Sequence, residues 1–130
     1  MMNLADHAVM SVLLIDDDPH TRMIFKLVMA HHHLKLTALA DAESAIDYLR
    51  DNDPDVIVMD LFLPGMDGYK ALDRIRQMKR GRKAKIVATT AFYSSDTQQA
   101  IVGRGFDGYL PKPFETKNIV TYLQSIVAEG

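Results

Sequence analysis

The chain has 130 residues, of which 48% are hydrophobic, and this is enough for one domain with a buried core but too little for two. Seventeen acidic residues against 15 Lys and Arg residues give a formal net charge of -2, so the chain lacks the positive field that binding to nucleic acid requires. The absence of cysteine excludes disulfides and thiolate metal sites and agrees with a cytoplasmic location, and residues 1–10 have the character of neither a signal peptide nor a membrane span.

The chain opens with a strand followed by a helix. Residues 12–15 are wholly apolar and are followed by Asp16, which predicts a buried strand that ends in an acidic loop. Asp18 is a good N-cap and Pro19 suits a first helical turn, so a helix should begin there and end near residues 31–33. The apolar stripe expected to face the core of this helix is Ile24, Leu27 and Val28.

A second strand and helix follow, and then a third strand. Residues 34–40 alternate apolar and polar side chains, as a half-exposed strand at a sheet edge does. Asp41 should cap a second helix, which residues 52–54 stop, and residues 56–59 predict a buried strand that ends at Asp60. The predicted inward face of the second helix is Ala42, Ala45, Ile46 and Leu49.

The third and fourth helices have caps that can be read from the sequence. After a Pro-Gly turn at residues 64–65, Asp67 should cap a third helix. Residues 86–90 predict a fourth strand, and Ser95 with Gln98 has the spacing of a capping box for a fourth helix. The inward stripe of the third helix should be Ala71, Leu72, Ile75 and Met78.

The last part of the chain completes an alternating pattern. The fourth helix should end at Gly103 or Gly105, and residues 108–110 predict a short fifth strand. A closing helix is marked by Ile119, Val120, Leu123, Ile126 and Val127. Five strands alternating with five helices predict a doubly wound α/β domain with a parallel sheet covered on both faces. We assign residues 11–130 to this domain and residues 1–10 to an N-terminal extension.

Polar residues follow four of the predicted strands, where doubly wound sheets bind their ligands. They are Asp16 and Asp17, Asp60, Thr90 and Lys112. Converging carboxylates repel one another unless a cation lies between them, and oxygen ligands suit Mg²⁺. One aspartate could then attack phosphorus, while a hydroxyl and an ammonium hold the phosphoryl oxygens. Singly, each residue has a simpler explanation as a cap, a turn residue or a surface charge, but their joint position at one sheet edge favours a phosphoryl-transfer site.

Four segments resemble the motifs of response-regulator receiver domains from two-component signalling. They are Val12-Leu-Leu-Ile-Asp-Asp-Asp-Pro19, Asp60-Leu-Phe-Leu-Pro-Gly-Met-Asp-Gly68, Thr90-Ala91 and Tyr109-Leu-Pro-Lys-Pro-Phe114. The spacings from Asp60 to Thr90 (90 - 60 = 30) and from Thr90 to Lys112 (112 - 90 = 22) are also typical of that family. The resemblance covers nearly the whole chain and implies the flavodoxin-like receiver fold, with strand order 2-1-3-4-5.

The resemblance also implies roles for individual residues. Asp60 would be the phosphoryl acceptor, and Asp16 and Asp17 the metal-binding pair, with Asp17 the direct ligand. The backbone carbonyl of Phe62 would complete the protein ligands of Mg²⁺, for which Mn²⁺ could substitute. Lys112 would contact the phosphoryl group, and its bond to Pro113 would be cis.

A receiver domain is a switch that catalyses its own phosphorylation and dephosphorylation and is not a conventional enzyme. By family likeness, Thr90 would move towards the phosphoryl group and Tyr109 would turn inward, which changes the surface of helix four, strand five and helix five. Ordinary packing of a short strand is nearly as good an explanation for Tyr109. The bulky rings of Phe62 and Phe92 flank the expected path of the hydrolytic water, so we expect them to lengthen the life of the acyl phosphate.

The implied partners are a sensor histidine kinase or a histidine phosphotransfer protein and a downstream protein target. Neither nucleic acid nor a membrane is an expected direct partner, and the domain could act as a monomer or as a phosphorylation-dependent dimer. The resemblance includes stand-alone receivers, which act through protein contacts without an attached output domain.

Two other functions remain open at this point. A phosphatase of the haloacid dehalogenase type also uses an aspartate at the end of its first strand, but His20 stands at the fifth position from Asp16 where that family needs Thr or Val. A pseudo-receiver would keep the fold as a protein-interaction module without phosphorylation. Retention of all five site residues argues against this second alternative.

Overall fold

Five strands and five helices alternate along the chain in this computed structural model, which describes residues 10–79, 83–91 and 94–129. The strands are β1 (Ser11–Ile15), β2 (Lys35–Leu39), β3 (Val56–Asp60), β4 (Lys85–Thr90) and β5 (Gly108–Pro111). The helices are α1 (Pro19–His31), α2 (Ala42–Leu49), α3 (Gly68–Arg76), α4 (Ser95–Arg104) and α5 (Thr116–Ala128). All pairings are parallel and the strand order is β2-β1-β3-β4-β5, which confirms the predicted doubly wound fold.

The sheet separates two hydrophobic clusters. On one face, α2, α3 and α4 cover the odd-numbered core residues of β1 and β3, including Leu13, Ile57 and Met59. On the other face, α1 and α5 cover Leu14 and Val58, together with other even-numbered residues of the same strands. β1, β3 and β4 are almost entirely buried because they lie inside the sheet, whereas β2 at the edge is half-buried, as its alternating sequence predicts.

The predicted core face of α1 was wrong. Thr21, Phe25 and Met29 are the residues that α1 buries, whereas Leu27 is 65% exposed. Ile24 and Val28 are only partly buried at the margin of the cluster. The apolar residues of α1 cover more than one face. The buried face includes Phe25, whose ring meets that of Phe114, in the segment between β5 and α5, edge to face with centroids 5.4 Å apart. The core stripes predicted for α2 and α3 are confirmed.

Most of the predicted caps are confirmed. The side chains of Asp18, Asp41 and Asp67 each accept a hydrogen bond from a backbone N–H in the first turn of the helix that follows. The cap of α4 is Ser94, one residue before the predicted one, and its hydroxyl accepts from the backbone N–H of Thr97. Gly105 ends α4 in the left-handed conformation, as one of the two predicted stops.

The remaining differences lie at element ends. β3 includes Asp60, β4 begins one residue early at Lys85, and β5 extends through Pro111. Val127 is half-buried, while the other predicted core residues of α5 are buried. Residues 1–9 of the expected extension lie outside the described residues, and Met10 packs in the cluster beneath α1 and α5. No helix in residues 10–79, 83–91 and 94–129 has the length and apolar character needed to cross a membrane.

The loop after β3 is held close to the sheet by the first residue of α3. The backbone N–H of Gly68 donates to the carbonyl of Leu61 at 2.8 Å. A Cβ atom at Gly68 would lie 2.7 Å from the Cα atom of Leu61 and 3.1 Å from the backbone oxygen of Asp60. Since both of these contacts are with backbone, no side-chain movement could relieve them. Gly68 therefore sets the distance between α3 and the end of β3.

We predict that Gly68→Ala lowers the free energy of unfolding by about 1–3 kcal/mol because it pushes α3 away from the sheet. Gly103→Ala is the matched control, since a Cβ there meets nothing within 4 Å and α4 gains a better helix former. Urea denaturation of both variants measures the difference. Equal stabilities would show that the loop accommodates the methyl group without cost.

Candidate functional site

Two buried carboxylates lie side by side at the carboxyl edge of the sheet. Asp16 follows β1 directly, Asp60 is the last residue of β3, and the two strands pair up to Ile15 and Met59. Asp16 is 0% exposed and Asp60 is 8% exposed. Their proximity follows from topology, because adjacent parallel strands bring their carboxyl ends to the same edge.

Asp17 completes an acidic cluster with these two residues. Carboxylate oxygens of Asp16, Asp17 and Asp60 all lie within 4.8 Å of one another, and Asp17 is exposed at the mouth of the cluster. A set of carboxylate oxygens with access to water fits Mg²⁺, which prefers oxygen ligands and usually keeps several water molecules. The donor set present is therefore compatible with the divalent metal expected from the sequence.

Lys112 reaches this cluster from the end of β5, which is the edge strand two positions from β3. Its Nζ atom lies 2.8 Å from Oδ2 of Asp16 and donates to Oδ2 of Asp60 at 3.1 Å. The backbone N–H of Lys112 donates to the carbonyl of Thr90 at 3.0 Å, which ties the segment after β5 to the end of β4. The bond between Lys112 and Pro113 is cis, as predicted. Three aspartates and one lysine that are far apart in sequence thus meet at one point.

The two buried partners of this ion pair have altered proton affinities. Burial raises the pKa of Asp16, even though the hydrogen bonds from Lys112 and from the backbone of Asp18 oppose the change. Burial alone would lower the pKa of Lys112, but its contacts with Asp16 and the charge of Asp60 outweigh it, and the pKa lies above the ordinary value. Lys112 is therefore firmly protonated at neutral pH, whereas burial makes the charged form of Asp16 less favourable than that of an exposed aspartate.

Backbone groups fix one oxygen of each buried carboxylate. The N–H of Asp18 donates to Oδ1 of Asp16, and the N–H of Phe62 donates to Oδ1 of Asp60, both at 2.9 Å. Arg22 donates from Nη1 to the backbone carbonyl of Asp16, also at 2.9 Å, and so anchors α1 to the acidic loop. This contact of Arg22 could not be predicted from the sequence, because an arginine in a first helical turn is ordinarily a surface residue.

The other predicted residues lie around this centre. Thr90 is buried at the end of β4, and Tyr109 is half-buried on β5 against the cluster covered by α2, α3 and α4. The backbone N–H of Tyr109 donates to the hydroxyl of Tyr122 on α5. Phe62, just beyond Asp60, is 57% exposed. Phe92, the second ring in the predicted shield, lies outside the described residues.

Comparisons with known proteins agree with this arrangement. Residues 12–124 match the family model of the response regulator receiver domain. A 14.6 kDa protein of Leptolyngbya boryana is 30% identical over 90% of this chain and 89% of its own. The crystal structure of the receiver domain of sensor histidine kinase PA1611 from Pseudomonas aeruginosa, with magnesium coordinated in its active-site cleft, superimposes with a TM-score of 0.84. That domain is 29% identical, and the match covers 94% of this chain and all of the other.

Several curated relatives are longer than this chain. The DNA-binding response regulator MtrA of Mycolicibacterium smegmatis is 30% identical over 88% of this chain but over only 49% of its own length. The chain likewise spans about half the length of other transcriptional regulators that it matches. The similarity therefore covers only about half of the length of each of these proteins.

We predict that Lys112→Ala lowers the free energy of unfolding by about 2 kcal/mol in the absence of metal, because Asp16 and Asp60 lose their counter-charge. The loss should be smaller than for a fully buried pair, since the Lys112 side chain is 17% exposed. Added Mg²⁺ should restore part of the free energy of unfolding that Lys112→Ala loses. Lys117→Ala on the exposed side of α5 is the control for urea denaturation, and equal effects of the two changes would contradict the prediction.

Proposed function

The chain belongs to the response-regulator receiver family, and we propose that it accepts a phosphoryl group on Asp60 and changes a protein-binding surface in response. The observation that carries the proposal is the contact of Lys112 with both Asp60 and Asp16, beside Asp17. A nucleophilic carboxylate, two further carboxylates for a metal and a fixed cation are the groups that phosphoryl transfer to an aspartate requires.

The metal site would use the acidic cluster. Asp17 would be a direct ligand of Mg²⁺, with Asp16 beside it, and Asp60 and the backbone carbonyl of Phe62 would complete the protein ligands. Mn²⁺ offers the same preference for oxygen and would serve as a substitute. A bound divalent ion supplies positive charge to the phosphoryl oxygens. The carboxylate oxygens of Asp16, Asp17 and Asp60, which lie within 4.8 Å of one another, support this assignment.

In the transfer step, a carboxylate oxygen of Asp60 attacks phosphorus and the bond to the donor breaks on the opposite side. With a phosphohistidine donor, the phosphorus–nitrogen bond breaks, and its electron pair stays on the imidazole that leaves. Lys112 and the hydroxyl of Thr90 hold the transferred oxygens, because both follow strands that end at this edge. Since the donor supplies the phosphoryl group and the domain takes it, the protein is a self-modifying switch and not a conventional enzyme.

The response would pass through β4 and β5. Phosphorylation adds strong acceptor oxygens next to Thr90, and movement of Thr90 towards them leaves space on the face that it shares with Tyr109. Tyr109 turning into that space would alter the surface formed by α4, β5 and α5. The half-buried position of Tyr109 supports a side chain with room to change its orientation.

The implied partners are proteins. A sensor histidine kinase or a histidine phosphotransfer protein would supply the phosphoryl group in the cytoplasm, and a downstream target would bind the surface of α4, β5 and α5. Neither nucleic acid nor a membrane is a proposed partner of these residues, and the domain would be a monomer or form a dimer on phosphorylation. We assign residues 11–130 to the receiver domain, with residues 1–10 as an extension.

Incubation with acetyl phosphate and Mg²⁺ should add the mass of one phosphoryl group to the intact protein. Asp60→Asn should abolish the gain, because the amide cannot form an acyl phosphate, whereas Asp47→Asn on the exposed side of α2 should keep it. Chelation of the metal should prevent labelling of the wild type. Absence of labelling with acetyl phosphate and with a panel of phosphorylated histidine kinases would instead favour a pseudo-receiver that binds partners without phosphorylation.

Phe62→Asn should shorten the half-life of the acyl phosphate by a few fold. Phe62 lies two residues beyond Asp60 and binds it through its backbone N–H; its ring would keep water away from the phosphorus, whereas an amide could hold a water molecule there. Loss of the phosphoryl group is followed by mass spectrometry after removal of the donor. An unchanged or longer half-life would count against a shielding role for this ring.

A further inference from the structure

Thr89 has a buried hydroxyl group that the proposed chemistry leaves without a role. Its side chain is 0% exposed, and its Oγ1 atom has no hydrogen-bond partner. The other buried side-chain atom without a hydrogen bond, among the residues that the structure describes, is Oδ2 of Asp16, and that atom is paired with Lys112. Buried polar groups are normally paired, so an unpaired one at this place calls for an explanation.

The register of the sheet places Thr89 next to the proposed phosphoryl acceptor. Asp60 on β3 and Leu110 on β5 are its two partners across the parallel pairings. Residues paired in this way direct their side chains to the same face of a sheet, and Leu110 packs against the cluster covered by α1 and α5. Leu61, the residue after Asp60, donates its backbone N–H to the carbonyl of Thr89 at 3.0 Å, so the two strands stay paired up to the site.

The side chain of Lys112 must cross the strand that carries Thr89. Lys112 follows β5, and its Nζ atom contacts Asp60 on β3 and Asp16 after β1. β4 lies between β5 and β3 in the sheet, and Lys112 is two residues beyond Leu110 on the same face. By register, Thr89 therefore lies on the face that Lys112 spans, and it is the β4 partner of Asp60, to which Lys112 is bonded.

We propose that Thr89 is a positioning residue for phosphoryl transfer, whose hydroxyl donates a hydrogen bond to the Asp60 carboxyl oxygen that Lys112 releases. This inference rests on the proposed function. Before transfer, Oδ1 of Asp60 accepts from the N–H of Phe62 and Oδ2 accepts from Lys112, so each oxygen already has a donor, and the Thr89 hydroxyl makes no hydrogen bond. Once a phosphoryl group arrives, its oxygens draw Lys112 away and one carboxyl oxygen loses its donor.

The hydrogen bond would be strongest in the transition state. In hydrolysis, a water oxygen bonds to phosphorus, the bond from phosphorus to the Asp60 oxygen breaks, and its electron pair returns to the carboxylate. The water leaves with the phosphoryl group as inorganic phosphate and one proton passes to solvent. Negative charge grows on the carboxylate while Lys112 is still engaged with the phosphoryl oxygens, so a second donor lowers the barrier. When Asp60 attacks a donor, negative charge on its carboxylate falls as the bond to phosphorus forms. The same hydrogen bond would stabilise that transition state, because Lys112 has by then moved to the phosphoryl oxygens.

Thr89→Val tests the role because valine keeps the shape and removes only the hydroxyl. We expect the rates of phosphorylation by acetyl phosphate with Mg²⁺ and of hydrolysis to fall by about tenfold each, as for a moderate loss of transition-state stabilisation. The urea midpoint of the unphosphorylated protein should be equal or higher, since an unpaired hydroxyl is lost. Thr89→Ser keeps the donor and should retain both rates. Thr37→Val, which removes a hydroxyl bonded to Tyr48 on the edge strand, should change neither rate.

Unchanged rates in Thr89→Val, or a fall in Thr89→Ser as large as in Thr89→Val, would overturn the inference and assign Thr89 to packing alone. If the valine variant does not fold, Thr89→Ser and Thr89→Ala, which differ only by the hydroxyl, give the same comparison. The wild-type reaction separates this inference from the proposed function. A wild type that gains no phosphoryl group refutes the function and the inference with it, whereas a wild type that reacts at the same rate as Thr89→Val refutes the inference alone.

Discussion

The mutual repulsion of three carboxylates at one sheet edge is the constraint on which the rest of the site depends. Asp16 and Asp60 are buried, so water cannot screen their charges, and Asp17 adds a third charge at the mouth. Lys112 offsets one of these charges and holds one oxygen of each buried aspartate. A divalent cation would balance the remaining two. The fold therefore brings together a group of charges that one divalent cation would balance.

The same charge balance would make the site responsive to a phosphoryl group. An acyl phosphate carries more negative charge than the carboxylate that it replaces, and it extends further from the sheet. Lys112 would be drawn towards that added charge because it is a long, flexible and firmly protonated side chain. Its departure from Asp60 would change the hydrogen bonding at the end of β4, to which its own backbone is tied through Thr90. The ion pair of the resting protein is thus the contact that phosphorylation would alter first.

Periodicity and strand-end position together predicted the fold and most of the site. Fully apolar runs identified the inner strands, and the residue after each run identified Asp16, Asp60 and Lys112, because parallel strands end at a common edge. Contacts that depend on how helices rotate and how side chains extend could not be predicted in this way. The buried face of α1 includes Phe25, which packs against Phe114. The same orientation of α1 brings Arg22 within hydrogen-bond distance of the acidic loop. The position of Thr89 opposite Asp60 follows only from the register of β3 and β4.

The two threonines at the end of β4 show how one strand can serve both chemistry and response. Consecutive residues of a strand point to opposite faces, so Thr89 lies on the side of Asp60 and Leu110, while Thr90 lies on the side of Tyr109. A hydroxyl on the first face can bond to the aspartate, and a hydroxyl on the second can move only by changing the packing against Tyr109. Because the two residues share one backbone, a shift that draws one towards the phosphoryl group also displaces the other. The end of β4 therefore connects Asp60 on one face of the sheet with Tyr109 on the other.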